Sequence, residues 1–164
     1  MALTFLRNLG IISSAGISTS KLGAGAVLQV VQGTTTSSFH IVNTTYQDTT
    51  LTASITPTNA SNKILVLASL TCIVVNQGGA SIGLEHRLLR GDTQIEHKYG
   101  EINSGVGANS FTVENIEMSY VHLDSPNTTS STTYKIQARS SSTANNMQLR
   151  IPSGVKMTLI EIKG

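Results

Sequence analysis

Strict two-residue alternation of apolar and polar side chains is the feature that most narrows what this chain can become. LTASI (residues 51–55) sets Leu51, Ala53 and Ile55 against Thr52 and Ser54. TTYKIQARS (132–140) sets Tyr134, Ile136 and Ala138 against Lys135, Gln137 and Arg139, and MQLRI (147–151) alternates in the same way. Successive side chains of an extended chain point to opposite faces, so this period puts one half of each segment on a core and the other half in water. Turn clusters separate the segments: PTNASN, NQGGA, RGD, DSPNTTSS, SSTANN and a Pro-Ser-Gly step. Each residue type there has its own turn chemistry, from the fixed φ of proline to the backbone-bonding side chains of Asn, Asp and Ser. Further strand candidates lie at 26–32, 37–46, 63–75, 81–89, 93–99, 111–123 and 155–163. In these, Phe39 and Ile41 share a face, as do Ile82, Leu84, His86 and Leu88, and Ile116, Met118, Tyr120 and His122. Short connections exclude parallel crossovers. The pattern predicts an all-β chain, an antiparallel β-sandwich of jelly-roll-like type.

One segment departs from alternation. KILVLASLTCIVV (63–75) is apolar on both phases. Its β-branched residues Ile64, Val66, Thr71, Ile73, Val74 and Val75, and the lack of a helix cap, favour strand over buried helix. A strand apolar on both phases is expected to be covered on both faces, by a second sheet and by a neighbouring chain or loop. Leu65, Leu67, Leu70 and Ile73 are the candidate subunit-interface residues.

Composition removes several function classes. Charged residues are 12% of the 164-residue chain, the net charge is +2 and aromatic residues are 4%. Basic residues neither cluster nor interleave with aromatics, so nucleic-acid binding is not expected. Ser and Thr make up about a quarter of the chain, a bias that suits pleated surfaces and turns. The single cysteine, Cys72, lies within the apolar run and has no partner for an intrachain disulfide. No window holds the roughly 20 apolar residues of a membrane span.

The titratable residues form no local reaction centre. Glu114 and Glu117 are three apart on one strand, so they face opposite ways. His40, His86, His97 and His122 lack metal-site spacing, although strand pairing across the Arg90-Gly91-Asp92 turn is able to bring His86 near His97. There is no GxSxG and no phosphate-loop glycine pattern. The acids are expected to be solvated surface charges. Arg90-Gly91-Asp92 reads as turn chemistry rather than an integrin ligand, and the sequons at Asn43, Asn59 and Asn127 as by-products of Ser/Thr richness. No catalytic residue, metal or cofactor is assigned.

Residues 1–25 differ from the rest. MALTFLRNLGII is apolar but interrupted by Arg7 and Asn8, which does not suit the unbroken core of a signal peptide. Leu3, Leu6 and Leu9 fall on one side of a short helical turn, and SSAGISTSKLGAG follows as a flexible connector. Residues 1–25 are therefore expected to form an extended attachment arm and linker, and 26–164 the sandwich. Leu3, Phe5, Leu6 and Leu9 are the candidate anchors to a partner.

GAGAVLQVVQGTT, LTASITPTNASNKILVLASL, HRLLRGDTQI, SYVHLDSPNTTSSTTYKIQ and the closing MTLIEI occur in an order that resembles a module of tailed bacteriophages, particularly marine and cyanobacterial ones. The resemblance runs over about residues 24–163. It implies a virion-surface β-sandwich of the kind found at the C-terminal end of tail-fibre-like proteins, without enzymatic activity. Residues 1–25, ahead of the module, are expected to serve as an arm rather than a fibre shaft. The implied roles are then a capsid decoration protein or a short fibre or knob. The alternative is a tail-fibre receptor-binding module, with Tyr99, Asn103 and Asn109 on the receptor-facing loop, and a glycan-degrading tail enzyme is a remote third. The implied partners are other virion proteins, further copies of the chain in a homotrimer, and a host surface glycan or protein, with assembly in the host cytoplasm.

Overall fold

The apolar segment after the TNASN turn becomes the longest strand and the spine of one sheet. In the computed structural model the described residues are 18, 21–41, 43–77, 82–102, 111–141 and 148–164. They form β1 (Val27–Thr34), β2 (Phe39–Ile41), β3 (Gln47–Ile55), β4 (Lys63–Gln77), β5 (Ile82–Arg90), β6 (Thr93–Ile102), β7 (Phe111–Asp124), β8 (Thr132–Ser140), β9 (Gln148–Ile151) and β10 (Lys156–Ile162). The larger sheet runs β1-β10-β4-β9-β2, with β7 along the other side of β4. The smaller runs β3-β8-β5-β6, and every pairing is antiparallel.

The core lies between the sheets and is built from the in-phase residues of the alternating segments. Ile64, Val66, Ala68, Leu70 and Cys72 of β4 face Leu51, Ala53, Ile55, Leu84, Leu88, Tyr134 and Ile136 of the smaller sheet, all within one cluster. The burial of β8 alternates without a break from Thr132 to Ser140, as the sequence pattern requires. On one side the sandwich closes by direct backbone approach. A Cβ on Gly33 of β1 would stand 2.0 Å from the Thr52 carbonyl oxygen of β3, so only glycine fits there. On the other side ionic groups bridge β6 and β7. The Lys98 ammonium lies 3.2 Å from Glu96, Glu96 is 3.1 Å from His122 Nδ1, and Lys98 donates to the Ser119 carbonyl.

Two expectations change in detail. The strand expected over 37–46 stops at Ile41, because the Asn43 side chain accepts the Thr45 backbone N–H at 3.1 Å and turns the chain, and β3 starts early, at Gln47. Its pairing with β8 then slips between Asp48 and Thr52, where Thr50 has a φ of 64°. Leu70 is not an outer-face residue. It is fully buried on the inner phase of β4, opposite in direction to Leu65, Leu67 and Ile73.

Gly33→Ala tests the backbone crossing. The clashing atom belongs to the β3 main chain and cannot swing aside, so the expected loss is about 1–3 kcal/mol. Thermal unfolding followed by circular dichroism should show a midpoint lower by roughly 3–10 °C.

Candidate functional site

Buried acids hold the sandwich together at two points. Glu161 of β10 is 0% exposed. Its Oε1 accepts from the Thr58 backbone N–H (2.6 Å), the Thr58 hydroxyl (2.8 Å) and Asn62 Nδ2 (2.6 Å). Its Oε2 accepts from Gln29 Nε2 (2.6 Å), which also donates to the Thr56 carbonyl. One carboxylate thus ties β1, β10 and the turn between β3 and β4. Burial by itself would raise its pKa. The bonds from Asn62, Gln29 and Thr58 outweigh burial and hold the carboxyl below its ordinary value of 4.5.

The second clasp is Asp124, 7% exposed at the end of β7. It accepts from Arg90 Nη1 at 2.9 and 3.0 Å and from the Tyr134 hydroxyl at 2.6 Å. Arg90 also donates to the Ser125 carbonyl. Arg90 is therefore committed to the fold as the last residue of β5, and Gly91-Asp92 form a two-residue hairpin turn with Gly91 at φ 56°. Both clasps correct the expectation that the acids are solvated. Alternation alone put Glu161 on the same phase as Leu159 and Met157, the signal that marks it as inward.

The histidines do not pair. His97 lies opposite Arg87 rather than beside His86, so the two imidazoles take opposite faces of the smaller sheet. His86 is 2% exposed, its Nδ1 is 2.6 Å from the Tyr120 hydroxyl, and the two rings meet edge to face at 5.3 Å. Burial first, and the nearby Lys98 and His97 charges second, depress its pKa to about 4. Burial likewise pushes the Cys72 thiol up to about 12, which leaves it protonated and unreactive at neutral pH. Among the described residues no group of three or more His, Cys, Asp or Glu side chains is placed to hold a metal ion.

The outer faces differ in chemistry. On the smaller sheet, Glu85 accepts from Arg139 Nη2 (2.9 and 2.8 Å) and the Tyr46 hydroxyl (3.1 Å) and contacts His97 Nε2 (3.3 Å). The Arg87 and Arg139 guanidiniums stack over the Tyr46 ring at 4.0 and 4.7 Å. On the larger sheet the outer phase carries an apolar patch among polar residues. Leu65, Leu67 and Ile73 are half-buried, while Val30, Val121 and Leu123 are 58%, 71% and 51% exposed. The structure thus brings Leu65 and Leu67 into one apolar patch with three exposed residues that strand-by-strand reading passed over. Register was the missing information. Tyr99 is exposed on the edge strand β6, where it lies against Gly83. Asn103, Asn109, Leu3, Phe5, Leu6 and Leu9 lie outside the described residues.

Two titrations follow from the buried groups. Glu161 has a lowered folded pKa, so its contribution is present above pH 4.5 and disappears as pH falls through the folded value. Glu161→Gln should cost about 2–3 kcal/mol at neutral pH, and urea titrations should show the gap to wild type narrowing below pH 4.5. His86 also has a lowered folded pKa, so its neutral form favours folding above pH 6.5 and that stability drains away towards pH 4. His86→Asn keeps a hydrogen-bonding group in reach of Tyr120 and should flatten the stability profile between those limits.

No protein-family model and no curated protein matches the sequence. Solved structures similar to the chain include infectious bursal disease virus Gt strain, at 11% identity and TM-score 0.41, covering 93% of this chain and 42% of that one. The VP2 subviral particle of the same virus matches at 14% identity and TM-score 0.41, over 91% of this chain and 37% of that one. The insecticidal delta-endotoxin Cry8Ea1 from Bacillus thuringiensis matches at 14% identity and TM-score 0.37, over 77% and 20%. The chain spans less than half the length of each of these proteins.

Proposed function

We propose that this chain is a non-enzymatic structural protein of a tailed-bacteriophage virion. It is displayed on the particle surface as a capsid decoration protein or a short fibre or knob, acts as a homotrimer, and is held by its N-terminal arm. The observation that carries the reading is the convergence of the residues on which the sequence resemblance rests. Gln29 of VLQVVQ, Arg90 of HRLLRGD, Asp124 and Tyr134 of LDSPNTTSSTTY, and Glu161 of LIEI come from four separate motifs, yet they are members of the two buried clasps. The motif residues thus form the internal framework of one domain, as a resemblance of whole modules requires.

The outer surfaces fit a displayed, assembling protein. One face is tiled with ion pairs suited to water, and the other carries an apolar patch suited to a protein neighbour. Burying one Leu or Phe of the arm contributes roughly 1.5–3 kcal/mol. Several arms on one assembly bind together with an avidity that a single arm lacks.

Deleting residues 2–12 should leave a folded, soluble sandwich that no longer binds particles. Particles lacking the native copy are mixed with the truncated and full-length proteins, and bound protein is counted after sedimentation. Retention of the truncated form would remove the arm as the anchor. Counting the full-length form on intact particles separates the roles, with hundreds of copies marking decoration and tens or fewer marking a tail position.

A further inference from the structure

The apolar outer face of the larger sheet is laid out in level rows. Val30, Ile160, Leu65 and Leu123 stand in register across β1, β10, β4 and β7. The next outer level carries Gln32, Thr158, Leu67 and Val121. A continuous patch of this kind in water is disfavoured by roughly 25 cal/mol for each Å² left uncovered.

We propose that this face is where copies of the chain meet, with the symmetry axis of the assembly running along β4. The β10 half of one face then packs on the β7 half of the next. The count of three copies rests on the homotrimer reading above, while the choice of face does not depend on any role in a virion.

The layout selects this occupant. Ile160 and Leu123 flank Leu65 at one level, and Thr158 and Val121 flank Leu67 at the next, so an axis along β4 sets Ile160 of one copy against Leu123 of another, and the Thr158 methyl against Val121. In a three-fold ring the Leu65 and Leu67 side chains of all copies converge on the axis. The charges on the two halves are opposite. Lys156 stands on β10 level with Ser69, and Glu117 stands on β7 level with Thr71, one outer position further along and about 7 Å away along the strand. Packing β10 halves on β7 halves brings each ammonium to a neighbour's carboxylate, whereas packing like halves together would oppose like charges. Beside Leu67 and Val121 lies a groove of about 380 Å³ with Ser69 and Ser119 among its lining residues and Lys156 on its rim. These short side chains leave room for a neighbour's apolar side chain.

Light scattering coupled to size exclusion, on the full chain at micromolar concentration, tests the proposal. Wild type should run as a trimer. Val121→Glu combined with Leu123→Glu alters only exposed positions and should run as a monomer with an unchanged strand spectrum. Lys156→Glu should weaken assembly at least tenfold, and adding Glu117→Lys to it should restore most of the loss. Restoration is a readout that misfolding would not produce. A monomeric wild type overturns the proposal, as does a double glutamate variant that stays assembled. If the face substitutions leave the assembly intact and removal of residues 2–12 disperses it, the arm is the contact and the face is not. A dimer dispersed by the same face substitutions supports the face and overturns the three-fold reading. Particle binding, measured separately, bears only on the virion role.

Discussion

Everything at one end of the sandwich depends on a buried carboxylate that cannot go unpaired. Glu161 is the penultimate outpost of β10, sealed from solvent, and an isolated charge there would be prohibitive. Four hydrogen bonds from Thr58, Asn62 and Gln29 make it tolerable, and in doing so fix where β1, β10 and the turn after β3 stand relative to one another. The turn is shaped to deliver those donors. Asn59 accepts from the Ser61 backbone N–H and hydroxyl, which folds TNASN so that Thr58 and Asn62 point the same way. The strand that follows enters the centre of the sheet at a position already set.

Asp124 plays the matching part for the smaller sheet. Arg90 ends β5 at the hairpin, Asp124 ends β7 and Tyr134 belongs to β8, so one acid joins the two sheets across the core. The tyrosine hydroxyl is held protonated by burial and by this acid, and therefore always donates. Removing a partner from a carboxylate this buried is costly even with Arg90 half-exposed, so the contribution of the pair is to exclude other arrangements of the strand ends.

The ring of exposed and half-exposed groups divides the molecule by chemistry. Ion pairs and stacked arginines around Tyr46 keep the outer face of the smaller sheet compatible with water, each pair adding a small increment of stability. The larger sheet offers aliphatic side chains instead. Val121 and Leu123 stand exposed on that outer phase, beside Leu67 and Leu65 of β4.

The sequence by itself determined the strand content, the inward phase of most strands and the turn at Arg90-Gly91-Asp92, because alternation and turn chemistry are local and have one physical reading. It also marked 63–75 as apolar on both phases, of which the second sheet covers the inner one. Only the tertiary structure decided which residues share a level across strands. Register placed His97 away from His86, turned Leu70 into the core, and aligned Leu65 with Leu123 and Val30. It likewise made Glu161 and Asp124 buried anchors, since an acid on an inward phase is readable but its donors, up to 132 residues away, are not. Pairing between distant segments depends on the summed packing of both sheets, and no single stretch of chain carries that information.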